Sequence, residues 1–162
     1  MASCNLLLEE FENNYKESLE KENIKKSTKL RLSDFLRGNN KPYVHIILDN
    51  NCEPKYFNLE SIFEKKWGKA KRKCIDGLLF ITKNNEVCCC FFEFKATLDI
   101  TQIIEFKENL NELLGNKIDT NKFCFYIIYL NGRKIPIKNY KLKIYLKKSG
   151  EVLHHTEICN CH

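Results

Sequence analysis

The chain has 162 residues and a formal net charge of +6, with 43% hydrophobic and 30% charged residues. A chain of this length fits one domain, and its hydrophobic share can fill a core. The presence of only three prolines and six glycines argues against a disordered or fibrous protein. The positive charge is compatible both with simple solubility and with a polyanionic partner such as nucleic acid.

The first 38 residues predict two helices. Residues 5–23 carry apolar side chains at helical spacing, and residues 28–37 predict a shorter helix that ends at Gly38. The N-terminus has no basic region and only a short apolar stretch, so it does not resemble a signal peptide. No apolar run is long enough to span a bilayer, and no membrane partner is expected.

Residues 43–146 predict the core of the domain. The order of helices and strands predicts an α/β fold, with a mixed sheet flanked by helices. Residues 147–162 are expected to form a C-terminal tail beyond this core. The predicted strands are 43–48, 74–82, 87–96, 123–130 and 141–146, and the predicted helices are 58–67 and 100–114.

Nine cysteines, an odd number, fit poorly with a closed disulfide framework. Cys88, Cys89 and Cys90 are consecutive, and neighbours on a strand point to opposite faces, so they cannot all pair conveniently. With no signal peptide, this predicts free thiols in a reducing intracellular compartment, cytoplasm or nucleus.

The C-terminal segment contains His154, Cys159, Cys161 and His162, which are residue types that suit zinc. Their spacing matches no standard zinc finger. A frayed terminus is therefore the expectation, and a structural zinc site is the alternative.

Three polar side chains stand out in the predicted hairpin of residues 74–97. Glu93 and Lys95 share one face of an otherwise apolar strand, because alternate residues point the same way. Asp76 begins the preceding strand at a comparable distance from the turn, so the hairpin can bring it opposite. Two carboxylates can hold Mg²⁺, and a lysine can orient water or stabilise negative charge. The alternative is an ordinary charge pair on a solvated edge strand.

This pattern resembles the PD-(D/E)XK nuclease superfamily, in which an Asp opens the second core strand and a Glu-x-Lys closes the third. Asp76 matches the first position, Glu93 and Lys95 match the second, and Ile75 replaces the proline of the family name. The resemblance implies a restriction-endonuclease-like αβββαβ core, dependence on Mg²⁺ or Mn²⁺, and cleavage of DNA.

Two further residues follow from the resemblance. Some branches of the family carry a glutamine in the next helix, where Gln102 is similarly placed, although Gln102 could instead complete a capping box with Asp99. The family often adds an acidic metal ligand from the first helix, and Glu12 is our choice among several glutamates there.

Residues 65–73 form a basic segment that precedes Asp76 and contains the single tryptophan, Trp67. Such a segment beside an active site could grip a phosphate backbone, or it could be a solvated loop anchored by the tryptophan. The residues expected to bind nucleic acid are Lys69, Lys71, Arg72 and Lys73.

The leading hypothesis is a metal-dependent endonuclease, with DNA favoured over RNA as its partner. An RNA endonuclease of the same superfamily is an alternative, because viral cap-snatching members add a histidine ligand and His45 is available. A catalytically idle nuclease fold used for binding or assembly is a third possibility. The intact set of Asp76, Glu93 and Lys95 argues against it. The small size of the chain is compatible with a homodimer.

Overall fold

The computed structural model of the chain describes residues 2–20, 29–33, 42–68, 72–94, 100–130 and 143–160. These ranges contain four α-helices and eight strands, besides two short 3₁₀ turns. The helices are α1 (Ala2–Asn14), α2 (Leu59–Trp67), α3 (Ile100–Leu113) and α4 (His155–Asn160). The strands are β1 (Lys29–Ser33), β2 (Tyr43–Ile47), β3 (Glu53–Asn58), β4 (Gly77–Lys83), β5 (Glu86–Phe94), β6 (Cys124–Tyr129), β7 (Lys143–Lys148) and β8 (Val152–His154).

The larger sheet has five strands in the order β3-β4-β5-β6-β7. Strands β3, β4 and β5 are antiparallel neighbours, whereas β6 runs parallel to β5 and β7 parallel to β6. The β4–β5 hairpin turns at Asn84 and Asn85, which both have positive φ, as a tight hairpin turn requires. The smaller sheet has the order β1-β2-β8, with β1 antiparallel and β8 parallel to β2.

The larger sheet is buried on both faces. On one face its side chains pack against α1, α2 and α3, in what we call the helix-side core. On the other face they pack against the smaller sheet and α4, in the sheet-side core. Strand β5 alternates between the two, with Phe91 in the helix-side core and Phe92 in the sheet-side core. The expected mixed α/β architecture with flanking helices is therefore confirmed.

Two local predictions near the N-terminus are wrong. Residues 29–33, which we expected within a helix, form strand β1, because Leu30 and Leu32 alternate with polar residues and both are buried. The first helix ends at Asn14, short of the predicted residue 23, and residues 21–28 lie outside the described ranges. Strand β3 (Glu53–Asn58), an edge strand of the larger sheet, was not predicted.

The C-terminal segment is folded, so the expectation of a frayed tail is wrong for residues 152–160. Strand β8 pairs with β2, and α4 follows it directly. Leu153 and Ile158 are completely buried in the sheet-side core. The segment therefore completes the core instead of extending beyond it.

The cysteines form disulfide bonds, although free thiols were predicted. Cys89 is disulfide-bonded to Cys4 of α1, and its neighbour Cys88 is bonded to Cys159 of α4. Adjacent strand residues face opposite ways, so each reaches a different layer of the molecule.

Cys124 is also disulfide-bonded, whereas Cys52, Cys74 and Cys90 are free thiols. The prediction of free thiols is therefore wrong for the bonded residues, and the expected reducing compartment loses that support. In the described parts of the chain, no helix combines the length and apolar character that crossing a bilayer requires.

Candidate active site

Asp76 and Glu93 both lie at the end of the β4–β5 hairpin farthest from its turn. Gly77 pairs with Phe92 across the two strands, and one further step in the same register sets Asp76 opposite Glu93. Side chains opposed in this way have Cβ atoms roughly 5 Å apart. The backbone N–H of Phe94 donates a hydrogen bond of 2.7 Å to Oδ2 of Asp76, which fixes the carboxylate at this end of the hairpin.

Glu93 is a buried carboxylate in the middle of the sheet. Its exposed fraction is only 3%, and its strand lies between β4 and β6, where it pairs with Ile127. By alternation it faces the helix-side core, as Phe91 does. Burying a carboxylate is costly without compensating interactions. The alternative of a charge pair on a solvated edge strand does not fit this position.

The carboxylate of Glu60 acts electrostatically on the same thiol, that of Cys74, as the carboxylates of Asp76 and Glu93. The pKa of the Cys74 thiol is raised well above its usual value by burial and, after that, by the negative charges of Glu60, Glu93 and Asp76. The thiol therefore lies within electrostatic reach of all three carboxylates. The N–H of Leu59, beside Glu60 at the start of α2, donates to the carbonyl oxygen of Asp76 at 3.1 Å.

Glu60 was not predicted from the sequence, because it looks like an ordinary acidic residue in the first turn of a helix. Glu12 was predicted instead, but the structure does not bring Glu12 to the site. Oε1 of Glu12 pairs with Nζ of Lys55 at 2.5 Å. Lys55 is opposite Phe80, four residues along from Asp76, which corresponds to about 13 Å of strand.

The other residues expected at the site are Gln102, Lys95 and, for an RNA endonuclease, His45. Gln102 is half-buried in the first turn of α3, the helix that follows β5. Lys95 and the expected helix cap Asp99 lie outside the described residues. His45, the ligand considered for an RNA endonuclease, lies on β2 in the smaller sheet, on the far side of the larger sheet from the face that Glu93 shares.

A groove of about 620 Å³ reaches Cys74 between α2 and α3. Its lining includes two basic residues, Arg72 and Lys73. Four glutamates outnumber them, so the groove has an acidic lining that attracts cations more than phosphates. These glutamates are Glu60, Glu64, Glu105 and Glu108.

The basic segment is described only in part, since Lys69 and Lys71 lie outside the described residues. Nη1 of Arg72 is 2.8 Å from Oε2 of Glu112, and its guanidinium lies 5.0 Å from the centre of the Trp67 ring. Arg72 is therefore engaged within the chain, which weakens its expected role in binding nucleic acid. Lys73 is exposed, and its role remains a prediction.

Gly77, the residue after Asp76, allows the close approach of a buried tyrosine. A Cβ atom at this position would lie 2.0 Å from Oη of Tyr56. We expect Gly77→Ala to lower the free energy of unfolding by about 1–3 kcal/mol, because the rigid ring and the strand must move apart. Urea denaturation measures the loss, and adding Tyr56→Leu should recover part of it. An unchanged stability of Gly77→Ala would show that the ring is free to move.

No family model matches this chain, and neither does any curated protein or any solved structure. The function must therefore be inferred from the residues of the site.

Proposed function

We propose that the chain is a metal-dependent nuclease that hydrolyses phosphodiester bonds in DNA, with Asp76 and Glu93 as metal ligands. The observation that carries the proposal is the buried carboxylate of Glu93 opposite Asp76 at one end of the β4–β5 hairpin. The element order gives support. Helix α1, antiparallel β3-β4-β5, helix α3 and the parallel β6 occur in the chain order of the αβββαβ core that the resemblance implies, although β1 and β2 interrupt this order after α1 and α2 interrupts it after β3.

The residues present fit a divalent cation. Carboxylate oxygens are the ligands that Mg²⁺ prefers, and two carboxylates in a partly buried place favour a cation between them. The negative charges of Glu60, Glu93 and Asp76 all act on Cys74, so the acidic character is concentrated here. A bound Mg²⁺ or Mn²⁺ would polarise the phosphoryl group and lower the pKa of a bound water.

The chain's own residues have separate roles in this proposal. The Phe94 N–H orients the carboxylate of Asp76, and the neighbouring strands hold that of Glu93. Glu60 is the third acidic candidate, in place of Glu12. Lys95 is expected to orient the attacking water or to stabilise developing negative charge, and Gln102 to assist from α3.

The two competing functions have less support than DNA cleavage, and the reason in each case lies in particular residues. The RNA endonuclease depended on His45 as an extra ligand, and β2 carries that side chain on the other side of the larger sheet. A catalytically idle fold would have no reason to retain Asp76, Glu93 and Lys95 together. We therefore keep DNA as the proposed substrate.

A substrate panel tests the proposal. Purified protein is incubated with single-stranded, double-stranded and branched DNA and with RNA, each in Mg²⁺, Mn²⁺ or EDTA. We expect cleavage of at least one DNA with metal and none in EDTA. Cleavage of RNA alone would show that RNA is the substrate and would leave the proposed site unchanged. Cleavage that persists in EDTA, or none under any condition, would contradict the proposal.

The basic segment gives a prediction on binding. Neutralising Lys69, Lys71 and Lys73 together should weaken DNA binding, and each lost phosphate contact should reduce the log–log salt slope by roughly one. Arg72→Gln is the matched control, because Arg72 is already paired with Glu112 and should change the slope less. Fluorescence anisotropy at several salt concentrations measures both. Unchanged affinity and slope in the triple variant would show that the segment is only a solvated loop.

A further inference from the structure

A second set of metal-ligating side chains lies where β2 and β8 end side by side. Ile47 of β2 pairs with His154 of β8, and Asp49 follows β2 by two residues. Asp49, His154 and His155 each offer one ligand atom, and these atoms all lie within 4.8 Å of one another.

The buried member of this cluster is His155, with 4% exposure. Its Nδ1 lies 3.3 Å from the carbonyl oxygen of Ile47, which can only accept a hydrogen bond. Nδ1 therefore carries the hydrogen. Nε2 is then the ring atom that faces Oδ2 of Asp49, at 3.4 Å. Imidazole nitrogens and carboxylate oxygens are both common ligands of zinc.

Lys83 contacts the cluster from outside. Its Nζ is 2.8 Å from Oδ2 of Asp49. The lysine side chain is 38% exposed at the end of a strand, so it can swing into solvent when a stronger cation arrives.

The distances suit a transition metal. Tetrahedral coordination with bonds near 2.0–2.1 Å separates neighbouring ligand atoms by roughly 3.3 Å, close to the observed 3.4 Å between His155 and Asp49. The rings of His154 and His155 have centres 4.7 Å apart. Thr156 contacts Nδ1 of His154 through its hydroxyl at 2.9 Å and its N–H at 3.3 Å, so Nε2 is the ring nitrogen that remains for a metal.

We propose that Asp49, His154 and His155 bind one Zn²⁺ ion, with water as the fourth ligand. Two imidazoles and one carboxylate suit zinc better than Mg²⁺. The Ile47 carbonyl orients His155, in the way that outer hydrogen bonds orient metal-binding histidines. The ion would link the end of β2 to the residues where β8 meets α4.

This zinc site is separate from the proposed nuclease site. Lys83, which contacts Asp49, ends β4, whereas Asp76 precedes its first residue. Seven residues of extended strand separate the two, which is roughly 23 Å. The zinc alternative raised by the sequence included Cys159, but that residue is disulfide-bonded to Cys88. Zinc binding can therefore be measured without nuclease activity.

Titration of ZnCl₂ into the EDTA-stripped, dialysed full-length protein tests the proposal by calorimetry. We expect one zinc ion per chain and a further rise in melting temperature in buffer that already contains Mg²⁺, because Mg²⁺ does not compete for two imidazoles. Asp49→Asn and His154→Gln should each weaken zinc binding at least about a hundredfold. Asp49 is exposed, so its variant should still fold, and circular dichroism checks both variants.

Three control variants make the test specific to this cluster. His45→Gln and Cys52→Ser should bind zinc as the unaltered chain does, because neither residue is in the cluster. Lys83→Gln should bind zinc more tightly, because it removes the competing ammonium from Asp49. The proposal is overturned by zinc binding that survives both Asp49→Asn and His154→Gln. It is equally overturned if no zinc binds at 100 μM, a concentration on the order of the dissociation constant of a weak site.

Discussion

Glu93→Gln should abolish Mg²⁺-dependent DNA cleavage while leaving the chain folded. The amide keeps the shape of a side chain that is only 3% exposed, but it removes the charge that would hold the metal. We expect a rate loss of roughly a hundredfold or more, since the proposed catalysis depends on electrostatic stabilisation at the metal. Single-turnover cleavage at saturating Mg²⁺ measures the loss, and circular dichroism measures the fold.

A matched variant and a second readout keep this prediction specific. Glu108→Gln removes an exposed carboxylate from the neighbouring groove and should retain cleavage. Mg²⁺ should raise the melting temperature of the unaltered chain and of Glu108→Gln, but not that of Glu93→Gln, because in the proposed site only the folded pair of Asp76 and Glu93 would bind the ion. Equal rates for Glu93→Gln and the unaltered chain would remove Glu93 from the active site.

Removal of residues 151–162 should lower the stability of the chain more than any of the single substitutions proposed above. The truncation deletes Leu153 and Ile158, which are completely buried, and burial of each such side chain contributes about 1.5–3 kcal/mol. It also opens the Cys88–Cys159 disulfide, whose residues are 71 apart in sequence, and a loop of that length contributes about 4 kcal/mol. These losses are comparable to the whole stability of a small domain. We therefore expect a truncated chain that is unfolded at 37 °C.

The full-length double variant Cys88→Ala/Cys159→Ala separates the two contributions. It removes the disulfide but retains β8 and α4, so its melting temperature should fall between those of the unaltered and truncated chains. Cys90→Ala, a buried free cysteine on the same strand, controls for the loss of a sulfur atom. A truncated chain that melts at the temperature of the full-length protein would mean that β8 and α4 are dispensable.

The sequence predicted the elements whose signals are local. The β4–β5 hairpin has strong apolar runs around the Asn84–Asn85 turn, and α3 has a clear helical stripe. The opposition of Asp76 and Glu93 followed from hairpin register alone. Strand β1 was missed because an alternation over five residues is too short to outweigh a helical interpretation of the same segment.

The features that the sequence did not predict depend on distant parts of the chain. Nothing near Asp49 indicates that it meets His154 and His155, more than a hundred residues later, because the parallel pairing of β2 and β8 creates that contact. The same is true of Cys88, whose partner Cys159 comes from α4. The alternation of side chains along β5 was interpreted as evidence against disulfide bonds. It instead directs the adjacent residues Cys88 and Cys89 to opposite faces of the sheet, where each has its own partner.

An anomalous difference map from crystals soaked in Mn²⁺ tests the central claim most directly, because Mn²⁺ substitutes for Mg²⁺ at oxygen ligands. We predict a peak between the carboxylates of Asp76 and Glu93, which should be absent in crystals of Glu93→Gln. Asp76 and Glu93 side chains that point apart, with no Mn²⁺ between them at a concentration that saturates carboxylate sites, would contradict a metal-dependent nuclease site at this end of the hairpin.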